Sequence, residues 1–130
     1  MGLDYSELQK FRDNFIKMNK DYSKFLNEFV LKVAMDCLSR TKKRTPVDTT
    51  ELRRNWFITE VIRKGNDFIV YLYNKKDYAT FVEYGHTTRN REDWVEGYYM
   101  ATISIEELER KLPGRFEKEF TRFMKEKGIS

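Results

Sequence analysis

The chain has 130 residues, 40% of them apolar and 15% aromatic, enough for one packed domain and too ordered a composition for a disordered segment. Charged residues make up 35%, with a formal net charge of +4 and a pI near 9.1, a mild basicity that allows contact with DNA or an acidic protein surface without requiring either. The one cysteine, Cys37, excludes an intrachain disulfide and a thiolate metal cluster.

Residues 6–44 read as one long helix. Leu8, Phe11, Phe15, Met18, Tyr22, Phe25 and Phe29 recur at steps of three and four, which sets them on one face. A neighbouring stripe of Leu26, Val30, Val33, Ala34, Cys37 and Leu38 takes over further along, and Cys37 is expected there as a small buried apolar residue. Aromatic weight points to broad packing on a sheet or helix rather than to a two-stranded coiled-coil seam.

Pro46 disfavours helix at Thr45 and so ends this segment. Asp48 then has the chemistry to cap a short helix over residues 49–55, with Glu51 in the capping-box position. Residues 56–63 and 68–73 read as a β-hairpin closed by Lys64-Gly65-Asn66-Asp67. Residues 78–84 suit a short helix or a third strand equally, Gly85 closes them, and residues 86–93 read as a polar loop.

Residues 94–100 are expected as a strand. Ser104 is expected to cap a final helix over residues 105–127, with Glu107 in the capping box and Pro113-Gly114 kinking or splitting it. The order gives a single α+β domain over 1–130: a small antiparallel sheet of three or four strands, packed by the long N-terminal helix and the kinked C-terminal one. The helix 1–44 and the helix 105–127 flank a core region at 48–104.

Constellations for catalysis are scarce. His86 is the one histidine, and its pairing with Glu83 as an acid–base couple is outweighed by the simpler reading of a histidine beside a turn. The six glycines are scattered and form no phosphate loop, and no acidic spacing marks a metal site. No catalytic, cofactor-binding or metal-binding residue is therefore assigned, and an enzyme is not expected. The N-terminus lacks a signal pattern and no stretch is apolar enough to span a membrane, so a protein made and kept in a reducing cytoplasm is expected.

The basic character is local. Residues 40–64 carry eight Lys or Arg against Asp48, Glu51 and Glu60, while the rest of the chain is close to neutral. Within this stretch, Arg40-Thr41-Lys42-Lys43-Arg44 suits the negative end of a helix dipole. It also suits an acidic patch on a neighbouring subunit, or the phosphates of DNA with Arg53 and Arg54 added.

Three segments resemble a known family. Arg44-Thr45-Pro46-Val47-Asp48-Thr49-Thr50-Glu51-Leu52-Arg53-Arg54-Asn55-Trp56 is similar to the TPVDTGxLRxS/W signature of tail-completion and head–tail joining proteins of siphophages, myophages and prophages of Gram-positive bacteria. Thr50 stands where that signature often has glycine. Tyr78-Ala79-Thr80-Phe81-Val82-Glu83-Tyr84-Gly85-His86 resembles the second block, YAxxVEYGH/T, and Trp94 to Ser104 resembles a third, WVEGxFMLTIS. The resemblance implies a structural virion protein that completes the tail and helps join it to the neck. Its implied partners are a tail terminator, connector or adaptor and further copies of itself in a ring, with no cofactor and no membrane. A small DNA-binding module of a phage or prophage is the alternative. Pro46, Asp48, Thr49, Leu52, Tyr78, Glu83, Tyr84 and Gly85 are the expected scaffold residues, with Arg53 and Arg54 facing outward. Arg44, Arg53, Arg54, His86, Arg89 and Arg91 are the candidate interface.

Overall fold

The computed structural model describes residues 5–46, 50–76, 78–87 and 94–128. The architecture is α+β, with a long N-terminal helix, short antiparallel ladders and a C-terminal helix. Helix α1 runs unbroken over Tyr5–Arg44, as its three-four periodicity and lack of internal Pro or Gly predict. The C-terminal helix α4, Met100–Glu126, lies antiparallel along it. Tyr22, Phe25 and Phe29 of α1 interleave with Phe116, Phe120 and Phe123 of α4, with ring centroids 4.9–6.2 Å apart between the helices. Offset and edge-to-face rings at this spacing add attraction beyond the area they bury.

Charge pairs line the same seam. Asp36 accepts from Arg40 at 3.0 Å and from Arg115 at 3.1 Å, and Glu107 accepts from Arg40 at 2.8 Å and pairs with Arg44. Lys32 pairs with Glu119 at 3.7 Å and Lys127 with Asp21 at 3.2 Å. Two of the four cations at the end of α1, Arg40 and Arg44, are thus held by acids of the protein itself.

Helix α2 covers Thr50–Arg54, and the expected hairpin follows as β1 (Trp56–Ile58), β2 (Ile62–Lys64), β3 (Asp67–Ile69) and β4 (Leu72–Asn74). Strand β1 pairs with β4 and β2 with β3, both antiparallel. Three residues, Thr59 to Val61, separate Ile58 from Ile62, whereas only Val70 and Tyr71 separate Ile69 from Leu72. The first arm therefore carries a β-bulge, which interrupts the continuous strand expected over 56–63. Thr59 spans it: its amide donates to the Tyr71 carbonyl and its hydroxyl accepts from the Tyr71 amide, each at 3.0 Å. Gly65, at φ 60°, takes the first central place of the two-residue turn, where hairpin turns of the primed type seat glycine.

Residues 79–84 resolve their ambiguity as a helix, α3 (Ala79–Tyr84). The segment expected as a loop begins instead with strand β5 (Gly85–Thr87), paired with β6 (Trp94–Glu96). The strand expected over 94–100 is shorter than its composition suggests, because the chain turns into α4 at Met100. Ser104 is accordingly not a cap. It lies buried inside α4, its hydroxyl donating to the Met100 carbonyl at 2.6 Å. Pro113 does not split α4. Pro113 and Gly114 are exposed, so water can satisfy the carbonyl that proline leaves without a partner. The described strands thus form three two-stranded ladders, and the two long helices pack chiefly on each other.

Candidate assembly site

Leu52, Trp56 and Met100 form the central cluster, with Leu38, Leu72, Ala79, Val82 and Ala101 packed around them. All three sequence blocks therefore meet in one core: Leu52 and Trp56 come from the first, Ala79 and Val82 from the second, Met100 and Ala101 from the third. Leu52 has no exposed surface, as befits the apolar anchor of a helix only five residues long.

Thr45 and Asn74 bind the segments around this core together. Thr45 donates its hydroxyl to the Thr41 carbonyl at 2.8 Å and accepts the indole N–H of Trp56 at 2.9 Å. Asn74 donates to the Leu52 carbonyl at 2.8 Å, closing the C-terminal end of α2. Arg53 departs from the expected outward orientation. Its guanidinium donates to the Thr45 carbonyl at 2.7 Å, and its Nε is buried with no acceptor among the described residues.

Glu83 organises the second and third blocks. It is buried at the end of α3, and its carboxylate accepts from the Ala101 and Thr102 amides at 2.9 Å each and from the Thr102 hydroxyl at 2.8 Å. Those two amides are the second and third of α4, the donors that an N-cap side chain normally takes. The residue in the N-cap place, Tyr99, makes no side-chain cap and has φ 49° and ψ 42°. Glu83 therefore caps α4 from another element, and its negative charge sits at the positive end of the helix dipole. Backbone bonds complete the clamp: the Tyr98 amide donates to the Val82 carbonyl at 2.8 Å and the Tyr99 amide to the Glu83 carbonyl at 2.9 Å. The Tyr99 phenol donates to Glu96, a bond to the neutral form that raises its pKa.

Two glycines make this approach feasible. Gly85 is buried at φ 93°, a conformation side chains avoid. A Cβ on Gly97 would overlap the Glu83 carbonyl and the Gly85 amide.

The remaining expected residues divide clearly. Pro46 is half-buried after α1, and Thr50 begins α2 exposed. Arg44 is bound to Glu107, and Arg54 is exposed with no ion-pair partner among the described residues. His86 is exposed on β5, Tyr78 is exposed just before α3, and Tyr84 is exposed at its last position. Asp48, Thr49, Arg89 and Arg91 lie outside the described residues. Sequence reading missed Trp94 and Tyr98, which are 57% and 58% exposed on and just after β6. Both fall within the strand expected over 94–100, where alternation alone does not say which side chains face solvent. The available signal was three aromatics, Trp94, Tyr98 and Tyr99, within six residues, because large exposed aromatics mark contact surfaces.

Among the described residues, no group of three His, Cys, Asp or Glu side chains is placed to hold a metal, and no helix is long and apolar enough to cross a membrane. The arrangement is that of a small scaffold whose internal polar bonds fasten its three sequence blocks together. The model of the family described as "Bacteriophage HK97-gp10, putative tail-component" matches residues 9–85, more than half of the chain. The chain belongs to that family of phage tail components. No curated protein and no solved structure matches it.

Proposed function

We propose that this protein is a non-catalytic virion component that completes the phage tail and helps join it to the neck. On this reading it works in a ring of its own copies, against a terminator, connector or adaptor protein. The observation that carries the reading is the division of labour in the three blocks. Glu83, Thr45 and Arg53 are occupied by internal bonds, while Tyr84, Trp94, Tyr98 and Arg54 are presented to solvent. Buried polar groups of this kind hold a shape, and exposed aromatics and arginines are the usual anchors of a protein contact. The family membership supplies the setting, a phage tail.

The DNA-binding alternative draws less support. Arg40, Arg44 and Arg53 are engaged with protein acceptors, so fewer cations of the basic stretch are left for phosphates. Cryo-electron microscopy of the neck and tail top tests the proposal. Density for the protein between tail tube and connector supports it, and absence from intact particles overturns it. Charge reversal at Arg54 with Trp94→Ala is expected to leave folding intact and block tail joining. Joining at the normal level by that double variant removes both residues from the proposed contact.

A further inference from the structure

Helix α1 is longer than the helix that covers it. Its 40 residues span about 60 Å, against about 40 Å for the 27 of α4. The end of α4 lies beside Asp21, through the ion pair from Lys127. Residues 5–20 therefore run on past it as an arm of about 24 Å. Every residue from Arg12 to Lys20 is exposed. The apolar stripe does not stop with its cover. Phe15 and Met18 continue the line of Tyr22, Phe25 and Phe29, and Phe15 is 57% exposed. Single helices of this length are marginal in water without a packed face.

A second uncovered surface lies elsewhere on the same chain. Between α1, α4 and β3 a groove of about 510 Å³ is lined by Val30, Val33, Ala34, Phe68, Ile105 and Leu112 among others. Its one charged lining residue among those described is Glu109, which has no ion-pair partner among the described residues. The arm is the opposite in sign: residues 5–20 carry four Lys or Arg against Glu7 and Asp13. Lys10, Lys17 and Lys20 have no ion-pair partner among the described residues.

The arm cannot enter its own groove. Both lie on one unbroken helix, with Phe15 and Val33 eighteen residues and about 27 Å apart along the axis. Two arms paired antiparallel about Phe15 would set Lys10 against Lys20, like charges at the contact. We infer that the arm of one copy docks in the groove of the next, Phe15 and Met18 entering the apolar lining and lysines meeting Glu109. This names the surface for the self-association proposed above, and so rests on that reading. The contact joins two different patches, so it repeats from copy to copy and builds a ring or an open chain rather than a closed pair.

Sedimentation equilibrium of the full chain, from micromolar to millimolar concentration, tests it with two variants at exposed positions, Phe15→Asp and Leu112→Glu. The wild type is expected to associate beyond a dimer. Each variant alone should weaken association about thirtyfold or more, the weight of an interface anchor, with an unchanged circular dichroism spectrum. An equimolar mixture should recover a one-to-one complex, because the intact arm of Leu112→Glu fits the intact groove of Phe15→Asp. A wild type that stays monomeric overturns the inference and leaves the location in particles as a separate question. Association surviving in both variants, or lost only in Phe15→Asp, also overturns it, the latter pointing to paired arms or another partner surface. A mixture that stays monomeric overturns it as well.

Discussion

Glu83 shows how one side chain can join distant segments. Removing its carboxylate strands two half-buried amides and a hydroxyl at the start of α4, so Glu83→Ala is expected to destabilise the fold by about 1–3 kcal/mol. Glu83→Gln keeps one oxygen acceptor but turns an NH₂ toward a donor, so its loss should be smaller than that of alanine but real. Urea denaturation of the three proteins measures the order. Gly97→Ala presses on the same clamp from the other side and is expected to cost about 1–3 kcal/mol, read in the same titration. At Cys37, burial pushes the thiol pKa up, so the nucleophilic thiolate is scarce in the folded protein. A thiol-specific dye should label Cys37 slowly in buffer and rapidly in denaturant, and equal rates would place it at the surface.

At the scale of elements, the pairing of α1 with α4 rests on rings and on ions. Asp36 carries a pH signature. Partial burial raises its pKa, but Arg40 and Arg115 outweigh that and hold the carboxyl below the ordinary carboxylate value. A group depressed in the folded state stabilises it above the unfolded pKa, about 3.9, and that contribution fades as pH falls through the lower folded value. Asp36→Asn is therefore expected to be less stable near neutrality, with a shallower loss of stability in acid. Melting curves from neutral pH down to pH 3 check both. The two long helices were legible in the sequence because their stripes run for many turns, and averaging over turns hides local exceptions. The short elements were not. Three-residue strands hold too few residues for alternation to show, and the Thr59 bulge breaks the little that exists. Ser104 looked like a cap because capping was sought in the local sequence, whereas the actual cap lies about twenty residues upstream, on Glu83. The same blindness hid Arg53, whose acceptor is a backbone carbonyl that no side-chain pattern reports. Glu83 and Gly85 were recognisable as scaffold positions, but not the job each performs.

Taken whole, the molecule has its central cluster at one end of a helical pair and ring packing along the rest. Neither long helix has another element to cover its full aromatic stripe. A chain shortened to end before Met100 would lose the cover from Tyr22, Phe25 and Phe29 and the Met100 part of the core at once. It is expected to be insoluble or unfolded, as judged by dye binding to exposed apolar surface and by proteolysis. A soluble, protease-resistant product would mean that the hairpin and α1 suffice alone.

The remote cap on α4 has a consequence in time. Helix α1 leaves the ribosome before α4, and the hairpin and Glu83 are synthesised between them. At about 5–20 residues per second, the aromatic stripe stays uncovered for on the order of ten seconds in every round of synthesis. Its joining contacts span up to 106 residues of sequence, as between Lys127 and Asp21, and such distant closures are slow. An apolar surface left open for that long is prone to aggregate, so refolding of the full chain from denaturant is expected to lose yield steeply as protein concentration rises, as measured by light scattering.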